Sequence, residues 1–218
     1  MTNSRRSFLR VLSAAGGAAA LWPVEAQAPQ GPSAQPLPPN EQWDLAWLDQ
    51  LRGKHKQVFD MGVPDLQGIA NYLRAFREVY QLEHPQVNAV VGIAYKAYPI
   101  NAADALWAKY ELGSRWQIKD PVTGQPATRN VFVDPAAGAT EVVREASVRA
   151  LRARGAIFWM CNNALNTVVD ELSRATNQQF DAVRSELLAG LLPGVKLIPA
   201  HAMLIGLTQQ RGCAYQKV

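Results

Sequence analysis

The run Val87 to Ala97 (VNAVVGIAYKA) limits the possible folds more than any other segment, because it is apolar almost without interruption and carries β-branched residues. A strand with one wet face alternates apolar and polar side chains. A strand buried on both faces does not, and double burial belongs to parallel sheets covered by helices. Ala156 to Met160 (AIFWM) is a second such run. His55–Met61, Val195–Ile198 and Cys213–Val218 are shorter strand candidates bounded by Gly or Pro. Between these runs the spacing predicts helices. The first opens at Pro64-Asp65 and carries Leu66, Ile69, Ala70, Leu73, Phe76, Val79 and Tyr80. Others are expected from Asn101, as cap, through Leu112, over Thr140–Arg154, after Cys161, over Phe180–Ala189 and over Ala202–Gln210. Strands alternating with helices predict a doubly wound α/β sandwich around a parallel sheet.

Gly113 to Gly138 interrupts this rhythm. Pro, Gly, Thr and Asp punctuate it, with Trp116, Ile118, Val131 and Phe132 between them. A segment this long without periodicity reads as a lid, a binding loop or an oligomer contact, and Trp116 is its candidate binding residue.

The N-terminus has a different character. Ser4-Arg5-Arg6-Ser7-Phe8-Leu9-Arg10 has the twin-arginine form, followed by a weakly apolar stretch, Val11 to Leu21. Ala26-Gln27-Ala28 has the small-x-small pattern that a signal peptidase cuts. The stretch is interrupted by Gly16, Gly17 and Pro23 and is shorter than the roughly 20 apolar residues a membrane span needs. The expectation is a signal over 1–28, read by the twin-arginine translocase, delivery to the periplasm, and no membrane attachment after cleavage. Residues 29–40, rich in Pro, Gln and Ser, read as a flexible linker. One domain is expected over 41–218.

The net charge of +4 falls once the signal is removed, to 19 basic against 17 acidic residues. The basic residues form no stripe interleaved with aromatics, so nucleic acid is not an expected partner. Arg144, Arg149, Arg152 and Arg154 read as a solvated helix face. There is no G-x-G-x-x-G, P-loop or G-x-S-x-G motif. Two cysteines and three histidines, widely spaced, do not form a structural zinc site. No cofactor or metal is assigned.

Chemistry on a parallel sheet gathers beyond the carboxyl ends of its strands. Cys161 ends the AIFWM strand immediately before a helix, and His201 follows the next strand, also before a helix. If these strands are neighbours, thiol and imidazole share one crevice. The helix N-terminus favours the thiolate, Asn162 or Asn163 can cap that helix or bind an anion, and His201 can share a proton with the sulfur. Against this, a cysteine after an apolar strand also reads as a buried, inert small hydrophobe. Cys213 opens the last strand at the other end of the sheet. Disulfide Cα atoms lie within about 7 Å, so a Cys161–Cys213 bond is not expected.

Three blocks of the C-terminal half resemble the DsrE/DsrF-like family of sulfur-relay proteins. They are Gly155–Ala164 (GAIFWMCNNA), Leu187–Ala200 (LLAGLLPGVKLIPA) and Leu207–Tyr215 (LTQQRGCAY). The resemblance implies a flavodoxin-like three-layer α/β/α sandwich that forms homo-oligomers, with Cys161 matching the cysteine that carries sulfur as a persulfide. His201 is not part of it. The leading expectation is an exported sulfur carrier that receives sulfane sulfur from a donor protein and passes it to an acceptor, with sulfurtransferase-like activity left open. The alternatives are a non-catalytic oligomeric binding or assembly module of the same fold, and a small-ligand or cofactor-binding protein using the same crevice beneath an aromatic lid with Trp116.

Overall fold

In the computed structural model, residues 43–218 are described; the signal expected over 1–28 and the linker expected over 29–40 lie outside them. Five strands, β1 (His55–Met61), β2 (Val87–Ile93), β3 (Ile157–Cys161), β4 (Lys196–Ile198) and β5 (Ala214–Lys217), form one sheet in the order β4-β3-β2-β1-β5. All four pairings are parallel. Helices cover both faces, giving a three-layer α/β/α sandwich of the flavodoxin-like class. Its strand order, 4-3-2-1-5, differs from the 2-1-3-4-5 of flavodoxin itself.

The order dictates the layers. From β1 to β4 the chain always steps the same way across the sheet, so right-handed crossovers place every connection on one face. These connections contain α1 (Gln67–Tyr80), α2 (Asp104–Lys109), α3 (Leu112–Arg115), α4 (Glu141–Glu145), α5 (Val148–Ala153), α6 (Asn162–Thr176) and α7 (Phe180–Ala189). The last crossover returns from β4 to β5 at the opposite edge, which sends α8 (His201–Gln210) to the other face. A 3-10 helix, Ala46–Gln50, shares that face.

Side-chain alternation along the strands builds two cores. Phe59, Val91, Phe158 and Met160 meet Ile69, Leu73, Leu165, Val168 and Leu172 on the α1/α6 face. Val58, Val90, Trp159, Cys161 and Ile198 meet Trp47, Leu48 and Leu204 on the α8 face. Every residue of β2 is buried, so the apolar run does lie between two helical layers.

Several expected boundaries move, each for a local reason. β2 ends at Ile93, and a 3-10 helix Tyr95–Asn101 containing Pro99 follows; proline has no N–H to give to a strand ladder. Asn101 caps no helix. It is buried and donates through Nδ2 to the Trp159 carbonyl, 3.0 Å away. Helix α1 starts at Gln67, whose N–H is accepted by Asp65 Oδ1 at 2.9 Å. Val79 and Tyr80, at its end, are exposed. The single helix expected over Thr140–Arg154 is two, because Ser147 breaks it and caps the second by accepting from the Ala150 N–H.

The irregular segment 113–138 packs on the α1/α6 core through Trp116, Ile118, Ala127, Val131 and Phe132. Its main anchor is Asn130, 2% exposed. The Asn130 side chain donates to the carbonyls of Pro99 (3.2 Å), Ile100 (3.0 Å) and Ala102 (2.7 Å), and accepts from the Phe132 N–H (2.9 Å). Asn130→Ala strands these buried groups together and should cost roughly 2–4 kcal/mol. Urea denaturation is the check, with an unchanged midpoint as the contrary result.

Candidate functional site

The candidate site lies at the carboxyl ends of β1, β2 and β3, on the α8 face. Cys161 is the last residue of β3 and the N-cap of α6. Its Sγ accepts from the Ala164 N–H at 3.5 Å, as a capping side chain does. The Asn residues do not cap. Asn162 lies in the first turn, and its Oδ1 accepts from Arg184 of α7 at 3.0 Å. Asn163 is exposed, and its carbonyl accepts from the Thr167 hydroxyl.

β3 and β4 are neighbours, and Cys161 pairs in register with Ile198. The chain then passes through Pro199 and Ala200 into α8, so the first turn of α8 comes down on the thiol. The contact is made by backbone: the His201 N–H donates to Cys161 Sγ at 3.3 Å. The sulfur therefore receives one N–H from each of two helix N-termini. Cys161 is only 3% exposed.

The imidazole of His201 turns away from the sulfur. Its Nδ1 accepts from Trp159 Nε1 at 3.1 Å, and its Nε2 meets Asp60 Oδ1 at 2.8 Å. An indole N–H only donates, so Nδ1 must offer its lone pair and Nε2 carries the proton given to Asp60. Asp60 Oδ2 in turn accepts from the Tyr215 hydroxyl at 2.8 Å. A hydrogen-bonded row thus runs from β5 through β1 and α8 to β3. Both ring nitrogens are engaged, which leaves His201 to position the sulfur's N–H donor and not to exchange a proton with the thiol.

Room for this row depends on Gly92, which stands between Asp60 and Trp159 in the sheet register. A Cβ there would lie 2.6 Å from Trp159 Cζ2 and 3.0 Å from His201 Cε1. Burial raises the pKa of Asp60, but the hydrogen bonds from Tyr215 and His201 outweigh it and hold the carboxyl below its ordinary 3.8. The same bond raises the Tyr215 hydroxyl. Asp60, Trp159 and Tyr215 had no place among the expected site residues. The available signal was Asp60 itself, a carboxylate inside a strand headed for burial, which has to find partners.

Trp116 is not brought to Cys161. It lines a separate cleft of about 780 Å³ on the α1/α6 side of the same sheet edge, with Tyr95, Lys96, Arg115, Gln117 and Glu171. There the Tyr95 hydroxyl donates to Glu171, which pushes the Tyr95 pKa up to about 12. Cys213, before β5, is buried and free like Cys161, and burial raises its thiol pKa. Among the described residues no group of three or more His, Cys, Asp or Glu is placed to hold a metal ion. No helix among them is long and apolar enough to cross a membrane.

No protein-family model matches the chain, and no curated protein matches it. Among solved structures it is similar to a protein of unknown function, MTH1491 from Methanobacterium thermoautotrophicum. The two are 17% identical, and the likeness covers 76% of this chain and 100% of that one, with a TM-score of 0.37.

The Asp60 row has a pH signature. Folding lowers the Asp60 pKa, so its contribution is complete above the ordinary carboxylate range and is lost as pH falls through the lower folded-state value. Asp60→Asn should cost about 1–3 kcal/mol at neutral pH, and the gap to wild type should close toward about pH 2. Urea unfolding of both proteins across that range tests this; a gap independent of pH would contradict it.

Proposed function

We propose that this protein is an exported carrier of sulfane sulfur, with Cys161 as the sulfur-bearing thiol. The observation that supports the reading most is the placement of Sγ under two backbone N–H groups, from Ala164 and His201, at the start of two helices. A thiolate and a persulfide anion both gain from such donors. The three sequence blocks similar to sulfur-relay proteins support it as well, and Cys161 lies in the first of them.

The chemistry is thiol exchange on sulfur. The Cys161 thiolate attacks a sulfane sulfur of the donor, a polysulfide or thiosulfate. The donor's S–S bond breaks, its electron pair leaves with the shortened polysulfide or with sulfite, and a Cys161 S–S⁻ persulfide remains. An acceptor thiolate then attacks the outer sulfur and regenerates the Cys161 thiolate. Each step exchanges one S–S bond for another, so no external oxidant or reductant is consumed. Asn162 and Asn163 contribute to this reading only through the first turn of α6, and His201 acts as a positioning residue. Export through the twin-arginine pathway to the periplasm, with cleavage after Ala28, belongs to the same proposal. So do a donor protein, an acceptor protein and a homo-oligomeric state.

One observation favours a second reading. Cys161 is 3% exposed, packed in the core that also holds Trp47, Trp159 and Leu204. In a non-catalytic oligomeric module of the same fold this thiol would only fill space and cap α6.

Intact-mass spectrometry of the protein recovered from the periplasm separates the two. After exposure to polysulfide or thiosulfate, wild type should gain whole sulfur atoms that reductant removes, Cys213→Ser should do the same, and Cys161→Ser should gain none. The untreated mass should correspond to a chain beginning at Pro29. A folded protein whose Cys161 stays free under these conditions supports the second reading.

A further inference from the structure

Cys161 is 3% exposed, and its sulfur sits in the core of Trp47, Trp159, Ile198 and Leu204, with the His201 nitrogen 3.3 Å away and the Ala164 nitrogen 3.5 Å away. A persulfide places its outer sulfur about 2 Å beyond Sγ. A thiolate that attacks the outer sulfur must then approach along the S–S axis. Sulfur exchange at Cys161 therefore requires one of the covering elements to move.

The elements around the thiol are not held equally. Cys161 is itself the N-cap of α6, and Arg184 of α7 ties down the start of that helix by donating to Asn162 and Asn166 at 3.0 Å each. β4 is paired with β3 at Cys161. The 3-10 helix Ala46–Gln50 is pinned by Trp47 and Leu48, which are 1% and 2% exposed. The first turn of α8 differs. Of His201, Ala202, Met203 and Leu204, only Leu204 is fully buried, and Ala202 and Met203 are exposed. The rest of the hold is the His201 ring, through its bonds to Trp159 and Asp60. That side chain keeps 17% of its surface accessible, so the hold lies close to solvent. Segments with few buried contacts open locally while the body of a protein stays folded.

We infer that the first turn of α8 is a gate over Cys161, latched by the bonds of the His201 ring to Asp60 and Trp159. The purpose of the gate rests on the sulfur-carrier reading: closed, it shields the sulfur from stray thiols and oxidants, and open, it admits a donor or an acceptor. Asp60 belongs to β1, two strands away from β3 in the sheet, so it acts on access to the thiol through His201.

Alkylation of the full chain by iodoacetamide at neutral pH, followed by peptide mass mapping, reads the opening at each cysteine. Cys213 is the internal standard. It is also buried, and its N–H donates to the Thr208 carbonyl at the far end of α8, so release of the whole helix or of the whole fold exposes both thiols. Asp60→Ala and Trp159→Phe each remove one latch bond. Each should speed alkylation of Cys161 about ten-fold, the weight of one such bond, with little change at Cys213. Asp60→Ala leaves the core around the thiol intact, so the test survives if the tryptophan variant fails to fold. Cys161 reacting no faster in the folded variants than in wild type, or both cysteines accelerating alike, would overturn the gate. The readout needs no sulfane sulfur. Faster alkylation in variants of a protein that takes up no sulfur contradicts the carrier reading alone, and sulfur uptake with unchanged alkylation contradicts the gate alone.

Discussion

One strand holds His201 at two points. On β3, Trp159 and Cys161 are two residues apart and face the same way. The first donates to the imidazole and the second accepts from the backbone N–H of the same histidine. Asp60, on β1, takes the other ring nitrogen. Because α8 starts at His201, these three bonds fix where that helix meets the sheet and aim its first N–H at the thiol. Gly92 leaves the space for the ring, and Tyr215 completes the carboxylate. The arrangement at the carboxyl edge depends on this anchor.

The anchor also assigns roles. An imidazole with both nitrogens occupied is poorly placed to be a base for the thiol, so the polar contacts of the sulfur are backbone N–H groups. Such donors are held rigidly by helices and add no titrating group of their own near the thiol. The return of α8 across the sheet makes this possible. It is the one long crossover that runs against the others, and it brings a second helix N-terminus to the carboxyl edge of a strand that already starts α6.

Much of the fold was legible in the chain because double burial removes alternation. VNAVVGIAYKA and AIFWM read as strands buried on both faces, and the shorter runs beside Gly62, Gly194 and Gly212 read as the remaining strands. The sequence left the proximity of Cys161 and His201 conditional on their two strands being adjacent, as consecutive strands in a parallel sheet usually are. The direction of the His201 ring was not legible. It depends on Asp60 and Trp159, which lie 141 and 42 residues away in sequence. Trp116 went astray for a related reason: a residue at the correct sheet edge can still belong to the other face, and only the layer assignment separates it from Cys161. Asn162 and Asn163 looked like caps by residue type, but the cysteine one position earlier took that role.

The locked orientation of His201 is the claim on which the site rests, and nitrogen-15 NMR of the histidine side chains reads it directly. The chain has three histidines, and His201→Gln identifies the signal that matters. At neutral pH the account predicts a single Nε2–H tautomer for His201, with Nδ1 unprotonated and accepting from Trp159. An Nδ1–H tautomer, or rapid averaging between the two forms, would show that the ring is not held between Asp60 and Trp159 and would contradict this account of the site.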